Sequence, residues 1–130
     1  MIGIIIASHG KLAEEMLNSA YMIMGPQENI FALGLEPKDD PLELKDKIYK
    51  AATEMDTGHG VVVLVDLLGG SPGNASAYLA KEGYPVITGL SLPMLLELVA
   101  MRNGDIEEVV NHIIYAGRDG IVDLRKALRG

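Results

Sequence analysis

The chain has 130 residues, 48% of them hydrophobic and 22% charged, and its 18 acidic and 11 basic side chains leave a formal charge of −7. That length supports one domain, residues 1–130, with a real core; two domains would leave neither half enough surface to bury. The apolar fraction excludes a disordered chain, the acidic balance excludes a nucleic-acid binder, and the absence of cysteine removes disulfides, thiol nucleophiles and thiolate metal sites. Uninterrupted apolar runs such as Val61 to Val65 are too short to span a bilayer. Met1-Ile2-Gly3 has no basic lead of the kind a signal peptide carries. The expected location is the cytoplasm.

Met1 to Ala7 is a continuous β-branched run, the pattern of a strand buried on both faces of a parallel sheet. It ends at Ser8-His9-Gly10, after which Leu12, Met16, Leu17, Ala20 and Met24 recur at helical spacing until Gly25-Pro26. Asn29 to Leu35 reads as a strand. Asp39-Asp40-Pro41 starts a helix, with an acidic cap and Pro at the first position, that runs to Gly58. Val61 to Val65 is a second fully buried strand, closed by Asp66. Leu67-Leu68-Gly69-Gly70 is a turn, and Ser71-Pro72 has the form of a cap followed by Pro, opening a helix that ends near Gly83. Tyr84 to Thr88 is a short strand, Ser91-Leu92-Pro93 opens a helix to Asn103-Gly104, and Asp105 caps another. Gly117-Arg118-Asp119-Gly120 reads as a turn into a closing segment, Ile121 to Leu128, whose pattern leaves strand and helix open. Met16, Met22, Met24, Met94 and Met101 sit on helical segments and are expected in the core, with a partner-binding face as the alternative around Met22 and Met24.

The alternation of strands and helices predicts an α/β fold, a doubly wound, mostly parallel sheet with helices on both faces. Ligands of such sheets bind outside the carboxyl ends of the strands, where the strand order reverses. With the first and third strands adjacent at that point, His9 and Asp66 face one crevice. Ser71 begins a helix that points into it after the Gly69-Gly70 pair. An aspartate bonded to one imidazole nitrogen sets the tautomer and leaves the other nitrogen free to attack. Backbone N–H groups around Gly10, Gly70 and Ser71, at helix starts, suit a phosphoryl group. A competing pattern is Gly69-Gly70-Ser71-Pro72-Gly73, which matches the G-x-S-x-G elbow of serine hydrolases. Pro72 follows the serine without the N–H an oxyanion hole needs, and the chain is short for that fold. His59 and His112 read as ordinary. No metal site is expected, and no nucleotide motif follows the first strand.

Three blocks, MIGIIIASHGKLAEEML, VVVLVDLLGGSPGNAS and ITGLSLPMLLEL, resemble in order the enzyme IIA domains of the mannose family of the bacterial phosphoenolpyruvate-dependent sugar phosphotransferase system. The resemblance covers essentially the whole chain. It implies that His9 is phosphorylated, that Asp66 orients it, and that Ser71 lines the phosphate pocket. Gly73 departs from the pattern, since relatives often carry a bulkier residue there. The resemblance further implies phosphoryl transfer from the histidine-containing phosphocarrier protein through His9 to an enzyme IIB, with no cofactor and only indirect contact with membrane subunits. It implies a homodimer, and in some members a C-terminal strand pairs with the other subunit, so Ile121 to Leu128 is a candidate antiparallel edge strand. Some relatives are fused to IIB through an Ala/Pro-rich linker, and no such linker precedes Gly130. The phosphotransfer subunit of dihydroxyacetone kinases is a related alternative, which the GGSP turn disfavours.

Overall fold

In the computed structural model, which describes residues 1–129, the most apolar runs become the centre of the sheet. Strand β1 (Gly3–His9) is buried from Gly3 to Ser8 and opens to solvent only at His9. Helix α1 (Leu12–Met24) leads to β2 (Ile30–Leu35), and α2 (Pro41–Met55) leads on to β3 (Val61–Val65), which is buried at every position. Then come α3 (Gly70–Lys81), β4 (Val86–Ile87), α4 (Leu92–Ala100), α5 (Ile106–Asp119) and α6 (Leu124–Arg129). All strand pairs are parallel, in the order β2-β1-β3-β4. Strands without a polar position can only be satisfied when both faces are covered, and here they are. Ile4, Ile6, Val62 and Leu64 pack with Leu17 of α1, Leu95 and Leu98 of α4 and Ile113 of α5. Ile5, Ala7, Val63 and Val65 pack on the opposite face with Leu44 and Ile48 of α2 and Leu79 of α3.

This order puts the switch point between β1 and β3. The chain leaves β1 for β2 on one side, then crosses back through α2 to β3 on the other, so a crevice opens beyond the two carboxyl ends. Three helix starts read from the sequence are capped as expected. Asp40 accepts from the Leu42 N–H at 2.9 Å, Ser91 from Met94 at 3.3 Å and Asp105 from Glu108 at 3.2 Å.

The C-terminal part differs from its sequence pattern. Gly117 to Asp119 does not turn the chain; it is the last stretch of α5. A Cβ on Gly117 would lie 3.0 Å from the Met94 methyl carbon, and one on Gly120 would lie 2.8 Å from Pro93 Cγ. Both glycines therefore serve the close approach of the end of α5 to the start of α4, a role that sequence does not distinguish from a turn. The closing segment forms the short helix α6 and not an edge strand. Its start is a local device: Asp123 Oδ1 accepts from the Lys126 N–H at 3.3 Å, and the Asp123 carbonyl accepts from Ala127 at 3.0 Å. A strand needs a neighbour to pair with, and a capped helical turn does not. Strand β4 is also shorter than Tyr84 to Thr88, and Met22 is exposed instead of in the core.

At the opposite end of the sheet, Arg102 is buried although charged. Its Nε donates to the Ile2 carbonyl at 3.0 Å, Nη2 donates to Asn29 at 2.8 Å, and Nη1 donates to Glu28. The guanidinium thus ties the entries of β1 and β2 to the link between α4 and α5. Arg102→Ala leaves three carbonyls without their charged donor and should cost about 3 kcal/mol, read as a lowered midpoint in urea. It should leave the geometry at His9 unchanged, because the two ends of the sheet share no contact.

Candidate active site at the carboxyl ends of the first and third strands

Pairing of β1 with β3 ends at Ala7 and Val65, while pairing with β2 continues to His9 and Leu35. His9 is therefore held on one side by the sheet, and on the other side it meets the residue that follows β3. That residue is Asp66. Its Oδ2 accepts from the His9 backbone N–H at 2.8 Å and lies 2.7 Å from His9 Nδ1, while Oδ1 accepts from the Leu67 N–H at 3.0 Å. The Asp66 side chain is 8% exposed and the His9 side chain 51%. One residue is a buried anchor and the other an open, reachable ring.

Burial by itself raises the Asp66 carboxyl, but the His9 N–H, the imidazole and the Leu67 N–H outweigh it, and the group is held below the ordinary carboxylate range. Asp66 is accordingly ionised at neutral pH. An ionised carboxylate only accepts, so the short contact places the ring proton on Nδ1 and the free lone pair on Nε2.

The Nε2 edge lies against the start of α3. Gly70 is the first residue of that helix, with φ +60, and a Cβ there would fall 2.9 Å from His9 Cε1 and 3.4 Å from Nε2. Gly69 precedes it with φ +81, a left-handed conformation suited to glycine. The helix start has no side-chain cap, so Ser71 lies in the first turn and does not cap it, in contrast to the pattern Ser71-Pro72. The N–H groups of Gly69, Gly70 and Ser71 consequently find no acceptor among the described residues, and Pro72 has none to offer. A helix start with unpaired N–H donors beside an imidazole can receive an anion. It also leaves no serine-hydrolase arrangement: no hydrogen bond joins Ser71 to His9, and the position after Ser71 lacks a donor.

Gly10 has a different part from the one its position predicts. Its N–H donates to the Leu35 carbonyl at 2.9 Å, so it pins the turn to β2 and is not free for a phosphate oxygen. Ser8, read only as a flank, is fully buried, and its Oγ accepts from the Ala13 N–H at 2.8 Å, tying the start of α1 to the end of β1. The one signal for it in the sequence is a hydroxyl closing an otherwise apolar strand just before a helix. Gly34 also escaped the sequence pattern, as nothing in β2 reveals what lies beside it.

A family model described as the phosphotransferase system fructose IIA component, EIIA-man, matches residues 3–114. The chain belongs to the EIIA-man family. A mannose-specific EIIAB component of the phosphotransferase system from Escherichia coli (strain K12) is 38% identical over 128 residues, covering 95% of this chain and 40% of that protein. The chain thus spans about two fifths of the length of that relative. A fructose-specific EIIA component from Bacillus subtilis (strain 168) is 33% identical over 104 residues, 78% of this chain and 71% of that protein. Among solved structures, a phosphotransferase system component EIIA from Streptococcus agalactiae superposes with a TM-score of 0.88 at 31% identity, covering 97% of this chain and 99% of the other. The relatives it matches are named as mannose-, fructose- and sorbose-specific components of the phosphotransferase system, and the fold is shared with a solved EIIA component. Among the described residues, no helix is long and apolar enough to cross a membrane.

Removing the anchor tests the geometry. Asp66→Ala should keep the fold but release the ring, and phosphoryl transfer should fall between ~10²- and ~10⁴-fold, measured as a single-turnover rate. The carboxyl has a lowered folded value, so its stabilisation is present above the unfolded value of about 3.9 and is lost as pH falls through the folded one. Unfolding in urea should accordingly show the gap between wild type and Asp66→Ala narrowing as pH drops below about 4.

Proposed function

We propose that this chain is a phosphoryl carrier in sugar uptake, receiving its phosphoryl group on His9 from the histidine-containing phosphocarrier protein and passing it to a histidine of an enzyme IIB. The observation that carries this reading is the 2.7 Å contact between His9 Nδ1 and Asp66, with the Nε2 edge against the uncapped start of α3. In the forward step the Nε2 lone pair forms the new N–P bond as the donor's N–P bond breaks. The ring becomes cationic in character and Nδ1–H remains bonded to the carboxylate, which stabilises that charge. The phosphoryl oxygens lie toward the N–H groups of Gly69, Gly70 and Ser71. Such transfer demands positioning and donors for the oxygens more than covalent help, and both are available here. The second step reverses the first, with the IIB histidine as nucleophile. No metal or cofactor has a part in it.

On this reading the protein works in the cytoplasm and meets the membrane subunits only through IIB. It acts as a homodimer. Ile121, Val122, Leu124 and Leu128 are all more than 60% exposed in the single chain, which is the apolar surface a second copy would cover.

Intact mass after incubation with phosphoenolpyruvate, enzyme I and the phosphocarrier protein tests the proposal. One added phosphoryl group, removed by acid and kept in alkali, is expected for the wild type and none for His9→Ala. Full modification of His9→Ala would overturn the assignment of the acceptor, and an unmodified wild type would overturn the carrier function. Sedimentation should give twice the monomer mass, and charged substitutions at Ile121 and Leu128 should return it to the monomer.

A further inference from the structure

The turn that carries His9 is held on three sides by contacts already described: Ser8 to Ala13, the His9 N–H to Asp66, and the Gly10 N–H to Leu35. A fourth contact is made by the absence of a side chain. Gly34 lies opposite Ser8 in the register of β1 and β2, one residue before Leu35. A Cβ built on it would fall 1.7 Å from the Gly10 carbonyl oxygen and 2.8 Å from the Gly10 carbonyl carbon. The obstructing atoms are backbone, so no rotamer change relieves the overlap. Gly34 is not in the left-handed region, and its own conformation does not call for glycine. What calls for it is the passage of the chain immediately after His9.

We infer that Gly34 is a positioning residue for the His9 acceptor: its missing side chain is the seat on which the His9–Gly10 turn rests, and it sets where the imidazole stands. This rests on the phosphoryl-carrier reading. Real Cβ atoms essentially never come closer than 3.0 Å to such an atom, so any side chain at 34 must move the Gly10 carbonyl or β2 by at least 1.3 Å (3.0 minus 1.7). The Gly10 carbonyl belongs to the residue directly after His9, and with the Gly10 N–H pinned to Leu35 at 2.9 Å, displacing it strains the turn that sets the His9 Cα–Cβ bond. The ring cannot follow such a shift without cost. Nδ1 is bound at 2.7 Å on one edge, and the other edge stands against Gly70, where a Cβ would already be 2.9 Å from Cε1. A displacement near 1 Å at a reacting group costs about 10²-fold in rate. The same β2 segment also supplies the Leu35 carbonyl, so a shifted strand loosens the Gly10 N–H as well.

The test compares Gly34→Ala with wild type and with Ile48→Val, which thins the core under α2 and leaves the turn alone. A folded Gly34→Ala should transfer phosphoryl from the phosphorylated phosphocarrier ~10²-fold more slowly, with the half-saturating donor concentration within about twofold, since the chain's outer surface is kept. The imidazole ¹⁵N signals of His9 should leave the pure Nδ1–H pattern for a mixture of tautomers, and the Nδ1 proton should exchange faster. Ile48→Val should lower the unfolding midpoint and keep transfer within about threefold. A folded Gly34→Ala with transfer within threefold of wild type, or with unchanged His9 signals, overturns the inference. So does an equal loss in Ile48→Val, which would trace the effect to stability. Should Gly34→Ala not fold, amide exchange of Gly10 in the wild type decides: strong protection is expected, and exchange at the free-amide rate overturns the seat. If the wild type itself accepts no phosphoryl group, the carrier reading fails, while the ¹⁵N comparison still decides the role of Gly34.

Discussion

One carboxylate organises the reactive end of this molecule. Asp66 Oδ2 takes a hydrogen bond from the His9 backbone and another from the ring of the same residue, and its second oxygen accepts from Leu67. The first contact fixes where the residue is, the second fixes which way the ring faces and which nitrogen holds the proton, and the third keeps the carboxylate from turning. A charge in so sheltered a place is tolerable only because every bond it makes comes from an N–H, and those same bonds keep it ionised.

The sheet makes that arrangement available. Because β1 stands between β2 and β3, the residue that ends β1 can be held from both sides: by the Leu35 and Gly34 end of β2 and by the Asp66 that follows β3. The side toward β2 shapes the backbone of the turn, and the side toward β3 orients the ring. Helix α3 then begins directly after the Leu67 to Gly69 turn, with its uncapped start beside the His9 ring. Exposure of half the His9 side chain follows from the same geometry, which leaves the ring reachable from outside. The same scaffold is shared with a solved EIIA component, at a TM-score of 0.88.

The glycines divide by purpose in a way that composition hides. Gly69 and Gly70 adopt left-handed backbone that other residues resist. Gly34 and Gly120 are required by what passes beside them, a carbonyl in the first case and Pro93 at the start of α4 in the second, while Gly117 lies close against the flexible end of Met94. Reading Gly117-Arg118-Asp119-Gly120 as a turn failed for this reason. The signal for a turn and the signal for a close helix contact are the same letter.

The sequence by itself determined the α/β alternation, both buried central strands, three helix caps and the pair His9 and Asp66, because each of these is written in local pattern: β-branched runs, Asp or Ser at helix starts, and polar residues at strand ends. Only the tertiary structure decided what the local pattern leaves free. It spent the Gly10 N–H on Leu35, moved Ser71 off the cap and into the first turn of α3, enlisted the buried Ser8 and Arg102 as ties, and set Gly34 beneath the acceptor turn. It also wound the closing segment into α6, since Asp123 supplies a helix start within the chain while a strand depends on a neighbour. Each of these outcomes depends on which backbone group lies next to which across the sheet, and adjacency across a sheet follows from strand order and register, not from any local spacing of residues.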